Sequence, residues 1–198
     1  MIILSSHYLP CIQWFQAFLS EGEEVVIDIH EHFLKQTYRN RTSILSANGK
    51  LDLTIPVKKS ANHTPMFAMR IENDFAWQHQ HWQAIVSAYN SAPYFLYYQD
   101  YLKPLYERKF EFLVEWNQAV LAVCLKLMKA GVEPVYSHQY CLAQTEDIDL
   151  RMVISPKNKE EVLTKPYLQV FAEKLPFESN LSMLDVLFNH GPRWREFI

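Results

Sequence analysis

The sequence predicts a single α/β or α+β domain spanning residues 1–198, with a mixed sheet flanked by at least four helices. Three observations carry that expectation. The first thirty residues run in the order strand, loop, helix, strand. An Asn48-Gly49 pair sits among alternating apolar and polar residues. Further on, three stretches repeat their apolar residues at helical spacing, and no linker or internal repeat divides the chain.

Met1 to Ser6 is short and apolar, the pattern of a buried strand, and His7-Tyr8-Leu9-Pro10 ends it. Cys11 to about Ser20 reads as a helix with Ile12, Phe15 and Leu19 along one side, stopped at Gly22. Glu24 to Ile29 is a second strand. This order opens an α/β unit, in which the loop after the first strand is a common ligand position. Only 4 glycines occur in the chain and none forms a Gly-rich phosphate loop, which argues against a dinucleotide-binding fold.

Asn-Gly is the preferred pair for a two-residue type I′ turn. Around it Leu51, Leu53, Ile55 and Val57 alternate with Asp52, Thr54 and Pro56. With Ala47 opposite Lys50, Leu53 faces Ile44, Thr54 faces Ser43 and Pro56 faces Arg41. Asn40, Thr42 and Ile44 then share the apolar face, and Arg41, Ser43, Asp52 and Thr54 the polar one. Pro56 has no N–H to give at such a pair. Pairing is therefore expected to fray beside Arg41, leaving a basic cluster at a strand end.

Met66 to Glu72 reads as another strand, and Asn73-Asp74 as the cap of a helix from Phe75 to Tyr89. The aromatic run Tyr94 to Tyr101 has no clear type. Leu105 to Lys129 has the strongest helical periodicity, with Phe110, Leu113, Leu121, Cys124 and Met128 on one face and Gly131 as its stop. Val132 to Ala143 and Asp149 to Ser155 read as strands, and Pro156 to Lys165 as a charged loop. Ser182, with Asp185 three residues on, resembles a capping box opening a last helix that ends at Gly191-Pro192.

The bulk numbers narrow the function classes. Apolar residues make 49 % and charged residues 21 %, an ordinary globular balance, and the 14 % aromatic content favours an aromatic core over an aromatic-lined pocket. No run approaches the length of a membrane span, and Met1 to Leu9 lacks the features of a signal peptide. Three widely spaced cysteines suit a reduced, cytoplasmic protein. The net charge of −3 makes nucleic acid an unfavoured partner. Yet between Lys35 and Arg70 stand 7 of the 19 basic residues and only 1 of the 22 acidic ones, Asp52. A local positive field and a solvated basic strand edge would both look like this.

The densest cluster is Lys35-Gln36-Thr37-Tyr38-Arg39-Asn40-Arg41. Arg39 and Arg41 share a face if the segment is extended, and guanidinium forks bind carboxylate or phosphate at two points. Lys35 and Tyr38 add a cation and a flat ring, so the expected ligand is an anionic small molecule. His30 and His32 would share a strand face suited to a metal, but no third ligand is indicated and no metal is assigned. Cys11 at a helix start with His7 upstream has the makings of a nucleophile pair, and equally of a small buried residue. Asn117, on the apolar stripe of the long helix, needs partners that a neighbouring backbone usually supplies.

The segments Tyr8–Phe15, Lys35–Arg41, Asn48–Val57, Ala92–Phe95, Tyr167–Phe171 and Asn180–Gly191 resemble the WbqC-like protein family, in the family's order and over nearly the whole chain. The resemblance implies an association with bacterial O-antigen sugar genes, without an agreed activity, cofactor or catalytic set. It marks Lys35, Tyr38, Asn40, Arg41, Asn180 and Asp185 as matched polar positions. The expected function is an enzyme of cell-surface sugar metabolism, a transferase acting on a nucleotide-linked amino sugar. In it Lys35, Arg39 and Arg41 would hold phosphates and His7 would serve as general base. The alternative is a non-catalytic module that holds an anionic carrier or a protein partner on the basic 35–41 face.

Overall fold

A computed structural model describes residues 1–158 and 164–198. β1 (Ile2–Ser5) is buried along its whole length. β2 (Val25–Asp28) lies parallel to it, with Ile2 opposite Val25 and Ser5 opposite Asp28. Parallel neighbours need a crossover, and α1 (Ile12–Phe18) supplies it. β5 (Val135–Tyr136) adds in parallel to β2, and β6 (Ile148–Asp149) to β1, so the sheet order is β5-β2-β1-β6. The expected strands over 132–143 and 149–155 thus shrink to two residues each. β1 is flanked on one side by the next strand in the chain and on the other by the last. Its carboxyl end is therefore a switch point, where open parallel sheets bind ligands.

The hairpin forms a separate antiparallel pair, β3 (Arg41–Ser46) and β4 (Gly49–Thr54). Its register differs by two residues from the expected one: Ser46 faces Gly49 and Arg41 faces Thr54. Ala47 and Asn48 make the turn, and Gly49 follows it with φ +101°. The glycine supplies the positive φ after the turn rather than inside a type I′ turn. An even shift keeps every side chain on its face; Asn40, Thr42 and Ile44 are buried, and Ser43 and Leu45 on the opposite face are buried too. Pro56 now lies beyond the ladder, so the expected fraying does not occur. Asn40 prolongs the pairing instead: its carbonyl accepts from the Ile55 N–H and its Nδ2 donates to the Ile55 carbonyl, both at 2.8 Å.

Two further expectations are corrected by long-range backbone partners. Met66 to Glu72 is a 3-10 turn at Met66–Ala68 followed by single bridges from Arg70 to Phe112 and from Ile71 to Val57. The same segment splits the long helix. α3 (Phe95–Glu107) ends and α4 (Leu113–Met128) begins either side of an extended link. There the Ile71 N–H donates to the Glu111 carbonyl, the Leu113 N–H to Met69, and Asn73 Nδ2 to Phe110. α2 (Trp77–Tyr89) starts at Ala76 without a side-chain cap, because Asn73 is spent on Phe110. α5 (Met183–His190) begins as expected, with the Leu184 N–H donating to Ser182 Oγ at 3.3 Å. Part of the charged loop, residues 159–163, lies outside the described residues. The aromatic residues go mainly to the core: Trp116 packs edge-on against Trp77, Tyr106 and Phe110, and Tyr8, Trp14, Phe15 and Phe188 are fully buried.

Candidate functional site

Polar residues at the ends of the short parallel strands converge beyond the carboxyl edge of the sheet. Asp28 closes β2 and is fully buried, with both oxygens occupied. Its Oδ1 accepts from the His30 N–H (2.9 Å), the Glu31 N–H (3.2 Å) and Ser137 Oγ (2.9 Å); its Oδ2 accepts from the Cys141 N–H (3.1 Å). Arg151, just past β6, donates from Nη1 to Asp28 Oδ2 at 2.6 Å. The same guanidinium forks onto Asp149 at 2.9 and 2.6 Å and lies 4.9 Å over the Tyr140 ring. Its hydrogen bonds hold the Asp149 carboxyl below the usual range, and Asp149 in turn raises the guanidinium.

Arg39 makes the second fork, onto both oxygens of Glu31, and also donates to the Arg151 carbonyl at 3.3 Å. Burial raises the Glu31 carboxyl despite that partner. A cleft of about 480 Å³ opens over this network, lined by His30, Glu31, His32, Leu34, Tyr140, Asp149, Arg151 and Met152. Three carboxylates (Asp28, Glu31, Asp149) meet two guanidiniums (Arg39, Arg151), and each guanidinium is already held by a carboxylate. Such a floor accepts hydrogen bonds from hydroxyl or ammonium groups more readily than it receives a phosphate.

Lys35 is exposed, next to cleft-lining Leu34. Arg39 and Arg41 do not share a face, because 35–40 is a series of turns with Gln36 at φ +61°. Arg41 belongs to the hairpin, half-buried and 3.4 Å from Asp52. Tyr38 is buried with its ring 5.6 Å from that of His7, and burial raises its hydroxyl. Asp185 lies in the core, in the first turn of α5, where Gln169 Nε2 donates to Oδ2 at 3.0 Å and the Tyr89 and Tyr167 hydroxyls face it. Burial outweighs these partners and raises its carboxyl. His7 and Arg39 are thus neighbours, whereas Arg41 and Asp185 each have partners of their own.

His7 is buried, and neither ring nitrogen has a hydrogen-bond partner. Burial, assisted by the Arg39 charge, lowers its pKa well below the ordinary histidine value, so the imidazole is neutral. It lines a cavity of about 10 Å³ with Trp14, Asn117, Gln118 and Tyr136, space for a single water. Asn117 Oδ1 is also unpartnered, while its Nδ2 donates to the Arg39 carbonyl (2.9 Å) and Ser6 Oγ (3.3 Å). Cys11 sits at the start of α1 as expected, but burial pushes its thiol up to about 11, the opposite of an activated nucleophile. His30 meets Ser137 Oγ at 3.2 Å rather than pairing with His32. Asp28, Glu31, Asp149 and Arg151 escaped the sequence reading. The one local signal was a carboxylate closing each of two apolar strands.

A second cleft, of about 660 Å³, lies between α3, the end of α4 and a C-terminal 3-10 turn at Gly191–Glu196. Tyr97, Tyr98, Tyr101, Lys126, Lys129 and Arg195 line it, and no carboxylate is among its lining residues.

The chain belongs to the WbqC-like protein family, whose match covers residues 5–163. That range contains His7, Lys35, Tyr38, Arg39, Arg41 and the whole carboxyl-edge network, and excludes Asp185. An uncharacterized protein of Mycobacterium tuberculosis, Rv1507c, is 21% identical over 222 residues, covering 99% of this chain and 96% of its own. No solved structure matches. Among the described residues no helix is long and apolar enough to cross a membrane.

Proposed function

We propose that the carboxyl-edge cleft binds the sugar of a nucleotide-linked amino sugar, and that the protein is a transferase of bacterial cell-surface, O-antigen-type sugar metabolism. The observation that carries the reading is the convergence of Asp28, Glu31, Asp149, Arg39 and Arg151 at the switch point of the parallel sheet. Glu31 and Asp149 accept from sugar hydroxyls or the ammonium, and Arg39 and Arg151 keep them in place. Lys35, on the cleft's flank, meets the phosphates. The family name and the uncharacterized mycobacterial relative are compatible with this function without specifying it. The compartment that fits is the cytoplasm.

His7 is the base in this scheme. Its neutral imidazole keeps a lone pair, and the cavity beside it has space for one water. Tyr38 positions the ring, while Arg41 and Asp185 serve the fold.

Calorimetric titration with nucleotide-linked amino sugars tests the binding. Wild type binds one, Asp149→Asn weakens it by roughly tenfold, and failure of every such sugar to bind overturns the reading. His7→Gln retains the ligand and slows turnover by about a hundredfold or more.

The aromatic and cationic lining of the second cleft favours a different reading, a binding module for an anionic carrier. In that case Lys126→Ala and Arg195→Ala abolish function and His7→Gln leaves it intact.

A further inference from the structure

Two histidines thirty-one residues apart in sequence meet at the rim of the cleft. His32 and His63 are both exposed, and their Nδ1 atoms stand 3.3 Å apart. The backbone holds them there. His32 pairs with Pro65 in an antiparallel bridge, the Phe33 N–H donates to the Thr64 carbonyl at 2.9 Å, and the Met66 N–H to Glu31 at 2.8 Å. His63 itself takes φ +63°, an unusual conformation for a residue with a side chain. Two nitrogens, each about 2.05 Å from a tetrahedral ion, stand roughly 3.3 Å apart. A linear N–H···N bond would set the rings end to end, adding both ring radii to the nitrogen separation. The ring centres are only 4.8 Å apart, with planes inclined at 62°, so the rings are not end to end.

We propose that His32 and His63 chelate a zinc-class transition ion through their Nδ1 atoms. Imidazole selects zinc, nickel or copper over magnesium and calcium, whose ligands are oxygens. Among the described residues no group of three or more His, Cys, Asp or Glu side chains converges, so His32 and His63 are the ligands those residues supply. The ion's other positions are open to water or to a ligand, as in exchangeable rather than structural sites. His32 also lines the carboxyl-edge cleft, which puts the ion at its rim. Spacing alone would pair His32 with His30. The fold pairs it with a residue from the next loop.

The site stands independently of the sugar reading, and its test contains no nucleotide. Zinc chloride is titrated calorimetrically into the full chain, and cobalt chloride is followed by its visible absorption. Wild type takes up one equivalent. His32→Ala and His63→Ala each weaken that binding by roughly tenfold or more, since loss of a ligand costs at least what loss of a second-shell partner does. The double variant binds no more tightly than either single one, and the exposed His79→Ala behaves as wild type. Thermal melts without metal confirm that all variants fold. Wild type without measurable uptake overturns the proposal, as does undiminished binding in either His32→Ala or His63→Ala.

Discussion

The carboxyl edge of the parallel sheet and the polar face of the β3–β4 hairpin use the same ion-pair chemistry at very different depths. At the edge, the side chains of Arg39 and Glu31 are 1% and 6% exposed, and Arg151 reaches an Asp28 that is fully buried. On the hairpin, two residues along the chain from Arg39, Arg41 meets Asp52 with 27% and 45% of their side chains exposed. Desolvation makes the first kind of pair costly to break, because a lone buried charge has no water to turn to. The second kind loses little, since each partner is readily solvated. Charge density along the sequence is the same for both arginines; burial decides what each one does.

The largest expected effect tests the buried side of this contrast. Arg39→Met leaves Glu31 without its cation, and urea denaturation should register a loss of about 3–5 kcal/mol. A loss below ~1 kcal/mol would mean that the edge is as solvated as the hairpin.

Next comes a pH effect beneath the hairpin. His81 Nδ1 lies 3.0 Å from the Tyr8 hydroxyl, and burial lowers its pKa to about 4 despite a hydrogen bond to the Thr54 backbone. The unfolded chain takes up this proton near the ordinary value of 6.5, the folded chain only near 4. Stability is therefore fully present above 6.5 and is lost as pH falls from 6.5 to about 4, by up to about 3 kcal/mol from this group. His81→Gln should flatten the stability profile across that window, and an unchanged profile would assign the acid sensitivity elsewhere.

Gly49→Ala probes the turn itself. Its φ of +101° strains any residue with a Cβ, so about 1–2 kcal/mol should be lost, although nothing lies within 4 Å of the added atom. Smallest of all, Arg41→Ala should cost less than ~1 kcal/mol, and less still in 1 M salt. A cost comparable to that of Arg39→Met would erase the distinction between the two regions.

Several of these features were legible in the linear chain. The apolar runs at Ile2–Ser5 and Val25–Asp28, the hairpin around Asn48 and Gly49, and helices α1, α2 and α5 all follow from patterns a few residues long. The basic cluster at 35–41 was legible as composition, but its turns were not. The extended reading placed Arg39 and Arg41 together, whereas Gln36 bends the chain and Glu31, eight residues upstream, captures Arg39. Pro56 does not limit the ladder, because a register shifted by two residues ends it at Thr54.

Local periodicity by itself determined the opening β1-α1-β2 unit, the place of the hairpin and the apolar faces of the helices, because 2-residue and 3.6-residue repeats are written along the chain. Tertiary structure alone decided where the long helical stripe breaks, since the carbonyls and N–H groups of 108–113 are claimed by residues 69–78. It also decided the site. Asp28 and Arg151 are 123 residues apart, and only the strand order β5-β2-β1-β6 carries them to one edge of one sheet. Strand order depends on which apolar faces pack best together, a property of the assembled core that no short window of sequence contains.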